Sequence, residues 1–347
     1  MSLKTLITYD KAFQEILKKH LPRKEQFVTN RHDVPAFSRK CQILVPNTLS
    51  NPWNSSITGT AFDYLARFIV AKQLDDDRQR VMDSFVAENG LEEIQKREQD
   101  SWISVEPAFP RLIKRYEQAR KRVKKYISDN KIDNYTELIP DVCFLARLDI
   151  AFRSSWVPLT GYGQLLCNET KETISDVANM AQVFFQVFII GQIITGQSTV
   201  VFNPRFGDMS IVCGGADADI LVDGVLYDFK SSKKLGYHWD EVAQIYGYYL
   251  LDCLQKIAME HAAGSTLGEE INYIAFYRAR SGIIEKFSTK EFVNEDLYET
   301  LIEIRDYLYA PQRRQCASLL GYDVWENRER VVENLTDEAI LSWVQHR

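Results

Sequence analysis

From Lys11 to about Lys131 apolar residues recur at spacings of three and four, the pattern of amphipathic helices, with breaks at Pro22, over Pro46–Asn54 and around Pro107 and Pro110. Two further helical patterns run through Leu145–Trp156 and Ile174–Ile194. After Gly196 the period shortens. Ser198–Phe206 and Asp217–Phe229 carry β-branched and aromatic residues between turn signals, which predicts short strands. A long helix is expected over Trp239–His261, then a strand pair, Ile271–Arg278 and Gly282–Phe287, joined through Ala279, Arg280 and Ser281. The tail from Glu291 to Arg347 reads as helical again.

Composition narrows the class. With 45% apolar and 26% charged residues, 16 Gly and 10 Pro, the chain is an ordinary globular one, and collagenous, low-complexity and disordered readings are excluded. Its 347 residues suit two domains, or one domain with a large insertion. The longest apolar stretch, Val183–Gly191, is interrupted by Gln186 and falls short of the ~20 residues that span a bilayer, so it reads as a buried helix. The polar start MSLKTLITYDKAF lacks the apolar core of a signal peptide, and no membrane partner is expected. The expected compartment is the cytoplasm. Six scattered cysteines, at 41, 143, 167, 213, 253 and 316, form no C-x-x-C pair, so the expectation is buried thiols, without a zinc ribbon or an iron–sulfur cluster.

The segment GGADADILVDGVLYDFKSS, Gly214–Ser232, carries the chemistry. Asp223–Gly224 between apolar runs signals a two-residue hairpin turn. Such a turn pairs Val222 with Val225 and, continued, sets Asp219 opposite Asp228 and Asp217 opposite Lys230, all on one face. Crowded carboxylates repel, and a hard divalent cation resolves the conflict; oxygen ligands suit Mg²⁺ or Mn²⁺. Lys230 beside it supplies fixed positive charge for a phosphoryl transition state, so the reaction suited is phosphodiester hydrolysis. The alternative is a polar hairpin in which Lys230 merely bridges the acids.

Asp219 followed across a hairpin by Asp228–Phe229–Lys230 resembles the core of the PD-(D/E)XK nuclease superfamily. Gln244–Ile–Tyr–Gly–Tyr248 is similar to the Q-x-x-x-Y motif of its RecB-type exonuclease branch, with Gln244 and Tyr248 one helical turn apart. Gly59–Thr–Ala–Phe–Asp63–Tyr–Leu resembles the first motif of that branch, with Asp63 where the family has a metal-binding His; Asp63 and Arg67 also have the spacing of an i, i+4 ion pair. The resemblance implies an α+β, restriction-endonuclease-like fold: a central mixed sheet flanked by helices. It implies an N-terminal segment over 1–58, a nuclease core over 59–310 with a helical insertion at about 74–195, and a C-terminal tail over 311–347. It also implies a Mg²⁺- or Mn²⁺-dependent deoxyribonuclease of exonuclease type, acting in DNA repair, recombination, phage biology or defence. Asp219 and Asp228 would bind metal with Asp63 or Asp217 and the Phe229 carbonyl, and Lys230, Gln244 and Tyr248 would serve catalysis. The other reading is an inactive nuclease-like module that binds nucleic acid or a protein. Ser231 and Ser232 stand where the family usually has Thr, and its iron–sulfur cysteines have no counterparts.

The net charge is −6, from 42 basic and 48 acidic residues, so DNA has to be met by local basic groups. Lys233, Lys234 and His238, just past the catalytic strand, are expected phosphate contacts, with Arg278 and Arg280 able to line the same cleft. Arg111–Lys125 holds eight basic residues against the single acid Glu117; it reads as a solvated helix face or as a track for a phosphate backbone.

Overall fold

The computed structural model describes residues 2–31, 33–51, 53–76, 78–100, 107–130, 134–154, 161–259, 270–310 and 334–347. Before the sheet hairpins come α1 (Leu3–Tyr9), α2 (Lys11–Lys19), strand β1 (Val28–Thr29), α3 (Trp53–Gln73), α4 (Val86–Asp100), α5 (Phe109–Ser128), α6 (Ile139–Ser154) and α7 (Lys171–Phe184). Then follow β2 (Val200–Phe202), α8 (Gly207–Val212), β3 (Ile220–Val222), β4 (Val225–Lys230), α9 (Trp239–Met259), β5 (Tyr273–Arg278), β6 (Ile283–Ser288), α10 (Asn294–Leu308) and α11 (Asp337–His346). The part of the expected C-terminal helical tail at 311–333, Cys316 included, lies outside the described residues.

The six strands form one mixed sheet in the order β1-β6-β5-β4-β3-β2, with β4 and β5 parallel and every other pair antiparallel. The β3–β4 turn is the expected one: Asp223 (φ 46°) and Gly224 (φ 77°) are both left-handed, and Val222 pairs with Val225 and Ile220 with Tyr227. Parallel β4 and β5 need a crossover, and the long helix α9 supplies it.

Alternation along the strands splits the core in two. Ile220, Val222, Tyr227, Ala275 and Tyr277 face α3–α7, whereas Leu221, Leu226, Ile274, Phe276 and Phe287 face α1, α2, α9, α10 and α11. The segment expected as a helical insertion therefore covers one face of the sheet, with α3 packed on α6 and α7. The N-terminal segment is likewise part of the core: Leu3 lies 3.1 Å from where a Cβ on Gly247 of α9 would stand, and β1 closes one sheet edge.

Helix α7 runs on as a π-turn, Phe185–Ile190, and Lys171–Ile190 is long and apolar enough to cross a membrane by length and composition. Its apolar side is in use within the protein. Phe184 and Phe188 pack on Phe229 and Tyr277 of the sheet, and buried Asp176 takes both terminal nitrogens of Arg280 at 2.8 and 2.7 Å. Cys143, Cys213 and Cys253 are buried thiols as expected, but Cys41 is half-buried and Cys167 exposed.

Candidate active site

Strand β4 sorts its last residues by face. Phe229 turns its ring into the aromatic core of Phe62, Phe184, Phe188 and Tyr277, so Asp228 and Lys230 must turn to the α9 side. Asp228 is 5% exposed, and Lys230 Nζ lies 2.5 Å from its Oδ2. Lys230 Nζ also donates to Gln244 Oε1 at 3.4 Å, and Gln244 Nε2 donates to Tyr248 Oη at 2.8 Å. The expected helical pair is thus joined to the lysine in one chain of polar contacts, with the Tyr248 ring stacked on Phe206 at 5.5 Å.

Asp219 stands just before β3. Its carbonyl accepts the Asn203 N–H at 3.1 Å, and its carboxylate accepts the backbone N–H of Phe229, which holds it across from Asp228. The third acid comes from α3. Gly59 packs so closely on the residue after Lys230 that a Cβ there would sit 2.6 Å from Ser231 Oγ, and this approach brings Asp63, one turn on, toward the other acids. Burial first, then the charges of Asp63 and Asp228, push the Asp219 carboxyl well above the usual carboxylate range. Burial also raises Asp63, against the opposing pull of Arg67.

Two of the acids, Asp63 and Asp228, have an internal counter-charge. Arg67 is 2% exposed, pairs with Asp63 at 2.5 Å and lies over the Tyr64 ring. Lys230 is held charged by Asp228 and Glu241, although burial works against it. Of the buried carboxylate oxygens, Asp63 Oδ1 has no hydrogen-bond partner among the described residues, and Asp228 Oδ2 meets only the Lys230 ammonium, at 2.5 Å. These are hard oxygen donors of the type Mg²⁺ takes. Among the described residues no three His, Cys, Asp or Glu side chains already surround a common point, so the acids are electrostatic neighbours, not a finished cage.

Three expected placements are corrected. Asp217 does not face Lys230: the ladder ends at Ile220, Asp217 bridges to Arg205 instead, and Arg153 grips its carboxylate at 3.0 and 2.5 Å. That guanidinium holds Asp217 below the usual range against its burial, so the carboxylate is already in use. Arg278 is no cleft residue either. It is 6% exposed and locked between Glu241 at 2.7 Å and Glu285 at 2.9 Å, beside Phe37 and Phe276, as its inward-facing place on β5 requires. Arg280 is equally buried, on Asp176.

Lys233 and Lys234 are exposed on the loop after β4. His238 starts α9: its carbonyl accepts from Val242, and its ring Nε2 lies 3.3 Å from the Leu235 carbonyl. The sequence reading passed over Arg153, Asp149 and Tyr64. Arg153 Nε bonds Asp149 at 2.5 Å, and Tyr64 Oη donates to Asp149 at 3.2 Å, which ties the insertion to the acidic cluster. Only the i, i+4 spacing of Asp149 and Arg153 hints at this. Compared with known family models, curated proteins and solved structures, the chain matches none.

Proposed function

We propose that this chain is a divalent-metal-dependent deoxyribonuclease of the PD-(D/E)XK, RecB-like kind, cutting DNA from an end. The supporting observation is the gathering of Asp63, Asp219 and Asp228, from three separate segments, around Lys230 in a partly buried site. Such crowding costs stability and has no use in a purely structural sheet.

Asp219, Asp228 and Asp63 would hold Mg²⁺ or Mn²⁺. A bound ion of this class would supply Lewis acidity at the phosphate and a water more acidic than bulk water. The remaining work falls to the chain. Lys230, with its pKa raised by Asp228 and Glu241 despite burial, stays an ammonium and meets charge developing on the phosphate. Gln244 fixes where that ammonium points. Burial keeps the Tyr248 phenol protonated, because its pKa lies well above the ordinary value, so it can donate a hydrogen bond. The Phe229 N–H holds one Asp219 oxygen and so fixes the carboxylate. On this reading the protein works in the cytoplasm, in DNA repair, recombination, phage biology or defence.

The test is cleavage of end-labelled linear and covalently closed DNA, single- and double-stranded, with Mg²⁺, Mn²⁺ or EDTA. Loss of linear substrate only with metal, and a fall of about a hundredfold or more in Lys230→Ala, is the expected result. Undiminished cleavage by Lys230→Ala or Asp228→Asn would sink it.

One observation favours a second reading, a nuclease-like module that binds without cutting. The acids are already neutralised internally, Asp63 by Arg67 and Asp228 by Lys230. Calorimetric titration with Mn²⁺ separates the two, since a module relying on those internal pairs should take up no ion.

A further inference from the structure

The basic block on α5 divides in two when placed on the helix. Arg115 and Arg122 both turn to Asp141, at 2.6 and 2.5 Å, and Asp141 is 1% exposed; these arginines fasten α5 to α6. Lys114, Lys121 and Lys125 lie elsewhere. At 100° per residue, spacings of seven and four set the three within about 40° of one line along the helix. That line is exposed, while Leu112, Tyr116, Ala119, Val123 and Tyr126 occupy the buried face. None of the three lysines has an ion-pair partner among the described residues.

We propose that this lysine line is a binding ridge for the sugar–phosphate backbone of DNA, the surface that holds the strand while an end is processed. The proposal takes DNA as the polyanion from the function proposed above. Charge complementarity carries it: in a chain of net charge −6, a straight row of ammonium groups with no ion-pair partner among the described residues is a local site where a polyanion is attracted. Lys114 to Lys125 spans about 16 Å of helix, alongside which a duplex presents about ten phosphate charges. At the C-terminal end, Lys121, Lys124 and Lys125 line an open groove of about 540 Å³ together with Ser128, Asp129 and Asn130. Lysine suits the task, because a flexible point charge follows a backbone without demanding one geometry.

The ridge is also fixed relative to the acids. Lys72, at the end of α3, donates to the carbonyls of Tyr126 and Asp129 at 3.0 and 2.8 Å. Asp63 lies on the same helix, about 14 Å back along its axis. A rigid helix therefore joins the end of the ridge to the candidate site.

The experiment compares the full-length protein with Lys114→Glu/Lys121→Glu/Lys125→Glu. Anisotropy of labelled 30-nucleotide single- and double-stranded DNA is read in EDTA, so that cleavage plays no part, across a salt series. The ridge predicts at least tenfold weaker binding and a log–log salt slope smaller by about 2 to 3, with the melting temperature unchanged. The milder Lys→Gln triple variant should fall between. Wild-type affinity and slope in the charge-reversed protein would overturn the proposal, and if cleavage also persisted, the nuclease reading would survive it. Ridge-dependent DNA binding with no cleavage in Mg²⁺ or Mn²⁺ would leave the ridge standing and remove the nuclease. No DNA binding by the wild type, or lysine-dependent binding only to phosphatidylserine vesicles, would overturn the ridge as a DNA surface.

Discussion

At the scale of single residues, the acidic cluster sets function against stability. Below the ordinary carboxylate value Asp219 is protonated whether the chain is folded or not. As pH rises from there through its raised folded value, the unfolded chain ionises first, so folding stability is lost across that window. Asp219→Asn removes the liability while keeping an oxygen for the Phe229 N–H. In EDTA at pH 8 this variant should melt a few degrees above wild type, and the difference should vanish toward pH 4. Added Mg²⁺ should raise the melting temperature of wild type only, because an ion that binds the folded state stabilises it by mass action. Thermal melts over that pH range check both, and a variant less stable than wild type in EDTA at pH 8 would refute the argument. The Val222–Val225 and Ile220–Tyr227 pairs that carry Asp219 and Asp228 were legible in the sequence because a two-residue turn sets the register locally. The capture of Asp217 by Arg153 was not, since 64 residues separate the two and no local rule joins them.

At the scale of elements, Gly59 has a physical reason in the contact between α3 and the end of β4. A Cβ at Gly59 meets Ser231 Oγ at 2.6 Å but Ser231 Cβ at 3.7 Å, an ordinary contact. Turning the hydroxyl away from its present rotamer costs about 1 kcal/mol, close to what alanine gains over glycine inside a helix. Gly59→Ala should therefore be near neutral, and Gly59→Ala/Ser231→Ala should exceed Ser231→Ala in stability by about 1 kcal/mol. Gly59→Leu has no such escape; it should push α3 off the strand and lose metal affinity and cleavage together. Urea titrations of the cycle decide the first part and Mn²⁺ calorimetry the second. The long elements, α9, the β3–β4 hairpin and the β5–β6 pair, were legible because each has a strong period or turn of its own. Ser198–Phe206 shortened to Val200–Phe202, where Pro204 and the short α8 that follows end the ladder. The two-residue β1 is too short to show a period, and only its pairing with β6 makes it a strand.

At the scale of the whole molecule, one sheet serves two cores, and this decides how the protein unfolds. Arg280 shows why the 74–195 segment is no independent body. Its side chain bonds Asp176 of α7, the Ser231 carbonyl just past β4 at 2.6 Å and the Val45 carbonyl at 3.3 Å, so it ties helical cover, site and N-terminal segment together. Asp176→Ala leaves that guanidinium buried without its carboxylate and should cost about 3–5 kcal/mol. The sequence offered Arg280 as a cleft residue and gave no sign of its ion pair, because its partner lies 104 residues away. If the sheet couples both cores, circular dichroism and tryptophan fluorescence should report one coincident thermal transition in wild type and in Asp176→Ala, displaced downward in the variant. Two separated transitions would mean that α3–α7 fold on their own. Asp176→Leu/Arg280→Met should regain part of the loss, since an apolar pair removes the stranded charge, but not all of it: the Ser231 and Val45 carbonyls then lose their donor, and with it goes part of the frame that sets Lys230 against Asp228.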